Sequence, residues 1–385
     1  MPSFSASLHS KLPKVSTTIF SKMSALAAKE NALNLSQGFP DFNCSDELVE
    51  MVTKAMKDGA NQYAPMAGLL SLREKIALKT EELYSEKYDP ETEITITAGA
   101  TQAIFTAIAA TVNEGDEVII FTPAYDCYEP AIDLVGGKTV YVQLSAPEYR
   151  INWEEVKKVI NQRTKMIIIN TPHNPTGSIL SGQDLQQLEK LLDKSDILVL
   201  SDEVYEHIIF DGYEHQSVAR FPKLAERSFI VSSFGKAYHT TGWKIGYCLA
   251  PKELMKEFRK THQYNVFSVH TPSQYAYAEF IDRKQDYLEL RNFYQRKRDL
   301  FTSMIKDSRF TIYHTAGSYF QLLGYSKLSN EKDTDFAVRL TKEHKIASIP
   351  VSVFYNTPVD KQVLRFCFAK SDETLEKAAA ILCKI

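Results

Sequence analysis

The stretch KMIIINTPHNPTGSILSGQDLQQLEKLLDKSDILVLSDEVY, residues 165–205, carries the pattern from which the architecture follows. Its two strand-like runs, residues 166–170 and 197–200, are apolar on both faces. A strand with one wet face would alternate apolar and polar residues, so these runs need cover on both sides. Between them DLQQLEKLLDK has a helical pattern, which makes the unit strand, helix, strand. The same alternation extends outward, from about residue 91 to about residue 250. EITITAG, AIFTAIAATV, EVIIFTP, KTVYVQL and WEEVKKVI precede the stretch, and SFIVSSF and KIGYCLA follow it. The economical inference is a mostly parallel α/β sheet with helices on each side. Ligands of such sheets bind beyond the carboxyl ends of the strands, so the residues after each strand are the ones to read for chemistry.

The last hundred residues have a different pattern. A long charged helical stretch over about residues 274–308 is followed by strand-like TIYHTAGSYFQLL, a helix near residues 333–344, and the strands ASIPVSVF and VLRFCFAK. That order predicts a smaller α+β unit packed on the first. Near the start, a helix over residues 21–30 precedes LNLSQGFPDF, whose Gly and Pro imply a close approach of backbone to another segment. This early part belongs with the smaller unit. The expected division is an N-terminal arm and part of the small domain in 1–45, a large domain in 46–280, and a small C-terminal domain in 281–385.

Composition narrows the function. With 385 residues, 44% hydrophobic and 24% charged, the chain is ordinary in composition and long enough for two domains with a large core. A net charge of -3 gives no electrostatic case for nucleic acid or an anionic membrane, so the expected partner is a small molecule. Cys44, Cys127, Cys248, Cys367 and Cys383 are scattered, without metal-site spacing or a C-x-x-C pair, and read as reduced thiols; no metal is expected. The first twenty residues lack the apolar core of a secretory signal, and no run is long enough to span a bilayer, so a cytoplasmic location is expected.

The strand ends carry the chemistry. After ITITAG the chain runs Ala100-Thr101-Gln102 into a helix, whose free N–H groups and positive dipole end suit a phosphate. After EVIIFTP comes Tyr125, a ring on which a planar ligand could stack. After KMIIIN, the proline-fixed turn TPHNPTG can present the Asn174 amide as a donor. After ILVLS come Asp202 and, one helical turn on, Tyr205; a buried carboxylate without a partner is costly, so Asp202 needs one. After SFIVSSF, Lys236 enters a loop beside Gly235, with Ser233 before it and a second cation, Lys244, eight residues later. Desolvation and a like charge lower an amine's pKa, which makes it a nucleophile of the Schiff-base type at neutral pH. Singly, these are a core tyrosine, a Pro-Gly loop and a surface lysine.

Pyridoxal phosphate meets all these requirements together. Its phosphate suits the helix end, its ring Tyr125, its phenolic oxygen Asn174 and Tyr205, its pyridine nitrogen Asp202, and its aldehyde Lys236. Lys236, once displaced by a substrate amine, is free to move the Cα proton. The substrate carboxylate falls to VLRFCFAK, where Leu364, Phe366 and Phe368 alternate onto one face and Arg365 shares the other with Cys367 and Ala369. The guanidinium is therefore expected to project over small neighbours into open space, ready for two-pronged capture of a carboxylate.

The motifs NLSQGFPDF, NQYAPMAG, TAGATQA, PAYDCYEPAI, NTPHNPTG, SDEVYEH, SSFGKAYHTTGWKIGY and LRFCFAK together resemble the class I/II aminotransferases of fold type I, over essentially the whole chain. Within that class the sequence is most similar to bacterial methionine aminotransferases and to kynurenine aminotransferases of the glutamine transaminase K type. The resemblance implies a large domain with a mostly parallel seven-stranded sheet covered by helices, and a smaller α+β domain drawn from both termini. It implies Lys236 as the cofactor-bearing lysine, Asp202 at the ring nitrogen, and Asn174 and Tyr205 at the phenolic oxygen. Ala100, Thr101, Gln102, Ser233 and Lys244 fall at the phosphate, and Tyr125 on the ring. Gly38, Asn174 and Arg365 fall at the substrate, and Phe20 and Phe267 at pocket positions that are aromatic in relatives. Tyr63 matches a tyrosine that reaches the neighbouring subunit's phosphate, so a homodimer is expected. Many relatives carry Arg where this chain has Lys244, and no second arginine for a dicarboxylic substrate can be placed.

The activity this implies is transfer of the amino group of methionine, or of another large apolar or aromatic amino acid, to a 2-oxo acid. Kynurenine transamination and β-elimination from cysteine conjugates would use the same site. A nucleotide-binding protein on a doubly wound sheet is the reading of a different class. It lacks support, because no G-x-G-x-x-G follows a strand and neither GATQ nor Gly136-Gly137 makes a P-loop.

Overall fold

The computed structural model describes residues 7–357 and 359–385; the first six residues of the expected N-terminal arm lie outside them. A helix, Ile19–Lys29, leads into the short strand β1 (Leu33–Asn34). The central sheet is then built from β2 (Ile94–Thr97), β3 (Glu117–Thr122), β4 (Lys138–Gln143), β5 (Thr164–Asn170), β6 (Leu198–Asp202), β7 (Ser228–Ser233) and β8 (Gly246–Leu249). Its order is β2-β8-β7-β6-β5-β3-β4. β8 runs antiparallel to both its neighbours, and the other pairings are parallel.

The doubly apolar strands are covered as their composition requires. Val118, Ile120, Met166, Ile168 and Leu200 face one core, while the intervening Ile119, Phe121, Ile167, Ile169 and Val199 face the other. This is the two-residue period of a strand whose faces are both dry, with each fully buried aliphatic side chain worth about 1.5–3 kcal/mol. The helix Ala100–Thr111 covers the first face through Ala103, Ile104, Ala107 and Ile108, three and four residues apart. Leu185 and Leu188 of the helix Gly182–Leu191 cover the second. That helix begins with a capping box, Ser181 N donating to Asp184 Oδ2 at 2.9 Å and Asp184 N to Ser181 Oγ at 3.2 Å.

The C-terminal part holds β9 (Thr311–Ile312), β10 (Phe320–Gly324), β11 (Ile346–Ala347), β12 (Ile349–Pro350) and β13 (Val363–Cys367). Four of them form an antiparallel sheet in the order β12-β13-β10-β9, and β11 pairs in parallel with β1. The chain beyond β1 continues along β13, Cys367 N donating to Leu35 O at 2.8 Å, and this delivers residues 36–38 to the carboxyl edge of the large sheet. The long charged stretch expected as one helix is three: Thr271–Phe280, Lys284–Leu288 and Leu290–Met304. Arg283 leaves the helical region with ψ 68, and the chain turns there so that Tyr277, Phe280, Tyr287 and Tyr294 all enter one core. No helix of the described residues is long and apolar enough to cross a membrane.

Candidate active site

The carboxyl ends of β2, β5, β6 and β7, the turn after β3 and the approach to β8 open onto one cavity of about 310 Å³. At one end, Gly99 adopts φ 79, a left-handed value that glycine takes without strain, and caps the helix Ala100–Thr111. A Cβ at this position would lie 3.3 Å from Lys244 Cε, so the lysine's stem lies across the bare glycine. Within the helix the first N–H to find a partner is that of Ala103, which donates to Gly99 O at 3.3 Å. The amides of residues 100–102 precede it and are the donors such a terminus leaves free. Ser233, at the end of β7, lines the same end, as does Lys244, itself left-handed at φ 55 and exposed.

The middle of the cavity pairs an acid with an amine. Asp202 ends β6 and is buried; Tyr128 OH donates to its Oδ2 at 2.6 Å and Val204 N to its Oδ1 at 3.4 Å. Burial pushes this carboxyl up to about 6 despite those hydrogen bonds, which favour the charged form. Asn170 fastens the neighbouring strand end to it, donating from Nδ2 to Asp202 O at 2.9 Å and accepting Asn174 N at 2.8 Å. Lys236 lies on a one-turn helix, Phe234–Ala237, where a loop was expected; Tyr238 N closes the turn on Phe234 O at 2.8 Å. Its Nζ donates to Gly38 O at 3.0 Å and to Tyr319 OH at 2.6 Å, and Tyr319 OH donates to Gly38 O. Burial, aided by the Lys244 and Arg365 charges, brings the amine down to about 8 against the opposing pull of Cys367 and Asp202. At pH 7 roughly a tenth of such an amine is unprotonated, against well under a thousandth for an ordinary lysine.

At the other end Arg365 departs from expectation. β13 is buried along its whole length, and the guanidinium does not extend over small neighbours into open space. It lies 3.9 Å from the ring centroid of Phe320, 5.2 Å from that of Phe20 and 5.4 Å from that of Phe354. These rings come from three other segments, so the alternation within VLRFCFAK could not reveal them. Nη1 donates to Asn174 Oδ1 at 2.7 Å and Nη2 to Ser36 O at 3.0 Å, while Nε is buried without a partner among the described residues. An orphaned buried donor of this kind is costly and suits an anionic ligand. Gly38 makes room nearby, since a Cβ there would stand 2.7 Å from Phe320 Cζ.

Phe20, Gly38, Ala100, Thr101, Tyr125, Asn174, Asp202, Tyr205, Ser233, Lys236, Lys244 and Arg365 thus line one cavity. Gln102 turns its side chain away, Oε1 accepting Ala98 N at 3.0 Å and Nε2 donating to Thr106 Oγ1 at 2.5 Å, so at this cavity it has only its amide to offer. Tyr63 and Phe267 lie elsewhere on the chain as an exposed edge-to-face pair with ring centroids 5.2 Å apart. Tyr128, Asn170, Tyr319 and Phe320 were missed. Asn170 was legible as the polar residue ending an apolar run, and Tyr128 as the residue one turn beyond Tyr125. Tyr319 gave no signal, because it meets Lys236 across 83 residues of chain.

A buried acid, a lowered amine and an arginine with donors to spare, held at the carboxyl edge of a seven-stranded α/β sheet, define an enzyme of amino-acid chemistry. Residues 30–382 match the family described as aminotransferase class I and II. The chain belongs to this family and is an aminotransferase. It is 48% identical to the methionine aminotransferase of Escherichia coli (strain K12) over 371 residues, 96% of each chain. It is 34% identical to human kynurenine–oxoglutarate transaminase 3, covering 97% of this chain and 89% of that protein. The solved structure of YbdL from Escherichia coli, identified as having a methionine aminotransferase function, superposes with a TM-score of 0.97 at 47% identity, covering 99% of this chain and all of that one.

Proposed function

We propose that this aminotransferase uses pyridoxal phosphate to move the amino group of methionine, or of another large apolar or aromatic amino acid, to a 2-oxo acid, and that it works as a homodimer. The observation that carries the reading is the convergence of Lys236, Asp202 and Arg365 on one cavity, with the amine brought down to about 8. The donor set fits the cofactor. The amides of residues 100–102, Ser233 and Lys244 would hold its phosphate, Asp202 its ring nitrogen, and Tyr205 and Asn174 its phenolic oxygen, with Tyr125 against the ring. Asn174 commits Oδ1 to Arg365, so the donor it has left is Nδ2. When bound, pyridoxal phosphate supplies an aldehyde for an amine and a cationic ring that draws electrons from the substrate's Cα. Asp202, made costly to ionise by burial, recovers that cost beside a cation and so holds the ring nitrogen protonated. Lys236 takes the Cα proton as a neutral amine and returns it as an ammonium.

The side-chain preference is supported by the lining. Among the described lining residues the cations are Lys236, Lys244 and Arg365, each with a role above, so none is spare for a second substrate carboxylate. Phe20, Ile245 and Phe320 offer apolar surface instead. The dimer reading rests on Tyr63, which is 81% exposed, packs against Phe267, and by family resemblance matches a tyrosine that reaches the neighbouring subunit's phosphate. The purified enzyme is expected to show a visible absorption band that borohydride bleaches, leaving a stable mass increment on the peptide containing Lys236; an unmodified peptide sinks the cofactor reading. In single turnovers without acceptor, methionine and phenylalanine should discharge that band at far lower concentration than aspartate.

A further inference from the structure

We propose that Tyr319 is a further catalytic residue: its phenolic oxygen, together with the carbonyl of Gly38, holds the amine of Lys236 while that amine carries the proton taken from the substrate. The inference rests on the proposed role of Lys236 as the proton carrier. Tyr319 is 1% exposed and stands outside the large sheet, at the entrance to β10, while Lys236 follows β7. Its oxygen meets Nζ at 2.6 Å, and Gly38 O meets the same nitrogen at 3.0 Å.

The triangle of contacts is built for an ammonium. A protonated amine has three donors and no acceptor. Two donors are met by Tyr319 OH and Gly38 O, and the third is left for the atom that gives or receives the proton. Tyr319 directs its own hydrogen to Gly38 O, so its lone pairs are what it offers to Lys236. Burial holds the phenol well above its ordinary pKa, so it keeps that hydrogen. In the transfer, the Cα–H bond breaks and an N–H bond forms on Nζ; the reverse step breaks an N–H bond and gives the proton to the accepting carbon. Tyr319 gains and loses no proton. Its contribution is to offset the cost of an ammonium in a dry site and to fix where the nitrogen waits. The oxygen is well placed for this, because the ring stands edge-to-face with Tyr205 at 5.1 Å and its main-chain carbonyl accepts Phe368 N at 3.0 Å.

The ionisable groups around the amine come from several elements: Asp202 at the end of β6 and Tyr205 after it, Lys244 before β8, and Arg365 and Cys367 on β13. Tyr319→Phe leaves all of them in place and retains the packed ring, so any change it causes belongs to the oxygen. The test uses the holoenzyme with excess amino donor and no acceptor, so that residue 236 is released. It is pulsed with an amine-acylating reagent across a pH series, and modification of residue 236 is read by peptide mass spectrometry. The wild-type midpoint in this state is the reference for the variants. Tyr319→Phe should lower it by about one unit, because the charged form has lost an acceptor. It should also reduce kcat roughly tenfold with KM changed by less than about twofold. Tyr294→Phe removes a buried neighbouring hydroxyl that has no partner among the described residues, and should leave the midpoint unmoved. 3-Fluorotyrosine at position 319 keeps the hydroxyl as a poorer acceptor and should give a smaller fall in the same direction. An unmoved midpoint in Tyr319→Phe, or an equal fall in Tyr294→Phe, overturns the assignment. Failure of the cofactor reading would register separately, as the absence of a borohydride-reducible band.

Discussion

Lys244 and Arg365 stand at opposite ends of the same cavity and are held in opposite ways. Lys244 is exposed, sits in a left-handed turn, and lies over a glycine at a helix start. Arg365 is buried, stacked on aromatic rings, and fixed by hydrogen bonds to Asn174 and Ser36. The first is a charge in a wet setting, able to neutralise a phosphate from a range of positions but screened by salt. The second is a rigid fork in a dry one, where orientation is preset and ions in solution do not reach. The helix end asks for charge and backbone donors, which many sequences supply. The arginine end asks for one geometry, and the chain builds it from parts far apart in sequence: Phe20, Ser36, Asn174, Phe320 and Phe354 around Arg365.

Removing the amine between them tests whether the ends work without the middle. Lys236→Ala should reduce kcat roughly 10⁴-fold, the scale of a lost acid–base group, while both ends still bind. Native gel filtration should find cofactor on both proteins, whereas after borohydride and denaturation only the wild-type chain should retain it, with steady-state kinetics reading the loss of turnover. Normal turnover in that variant would remove the lysine from the mechanism. Arg365→Ala comes next, with kcat/KM for the amino donor falling about 10²–10³-fold as a buried charged partner is lost, mostly through KM. Arg365→Lys should recover little, because one ammonium cannot reproduce two planar donors. These losses should be the same at low and high salt.

The contrast between the ends also explains what the sequence disclosed. β5 and β6 were legible because strands buried on both faces read as apolar runs, β3 and β7 because they continue the alternation of strand and helix, and the residues after these strands were then obvious candidates. Tyr125, Asn174, Asp202 and Lys236 were found in that way. The arginine end was not legible by the same logic. Alternation in VLRFCFAK ranked the neighbours of Arg365 along its own strand, yet its surroundings are Phe20, Phe320 and Phe354, brought in by the pairing of β13 with β10 and by the N-terminal helix. Gly38, Phe20 and Phe267 entered only through family resemblance. Phe267 lies beside Tyr63 on the exposed side of the chain, and no local pattern marks such a residue as belonging to a site.

Lys244→Ala is the counterpart of the arginine variant and should be milder. Cofactor affinity is expected to fall about tenfold at low ionic strength, measured by titration of cofactor-free protein. The deficit should shrink as salt is raised, because the comparison is then between a screened charge and none. A salt-independent loss as large as that of Arg365→Ala would mean that the two ends are not different in kind.

The smallest effect concerns Asp202, which stands between the ends. Tyr128 donates to its Oδ2 at 2.6 Å, a hydrogen bond that stabilises the carboxylate and so opposes the upward push of burial. Tyr128→Phe removes that donor and nothing else from the ring, so the carboxyl, already at about 6, should rise further. A hydrogen bond to a charged group is worth about 1.5–3 kcal/mol, and the lower end of that range corresponds to a rise of roughly one unit. The sign then follows. Above the raised value Asp202 is ionised in both proteins and binds a cationic ring equally well, so cofactor affinity at pH 8 should be nearly unchanged. As pH falls, the variant's acid protonates first, and its affinity should drop about one unit earlier than the wild type's. Titrating cofactor-free wild type and Tyr128→Phe side by side between pH 5 and 8 isolates this displacement, because every other titrating group is common to both. Coincident profiles would show that the acid is held by something other than Tyr128, and that the middle of the cavity is less dependent on a single hydrogen bond than the arginine end is on its geometry.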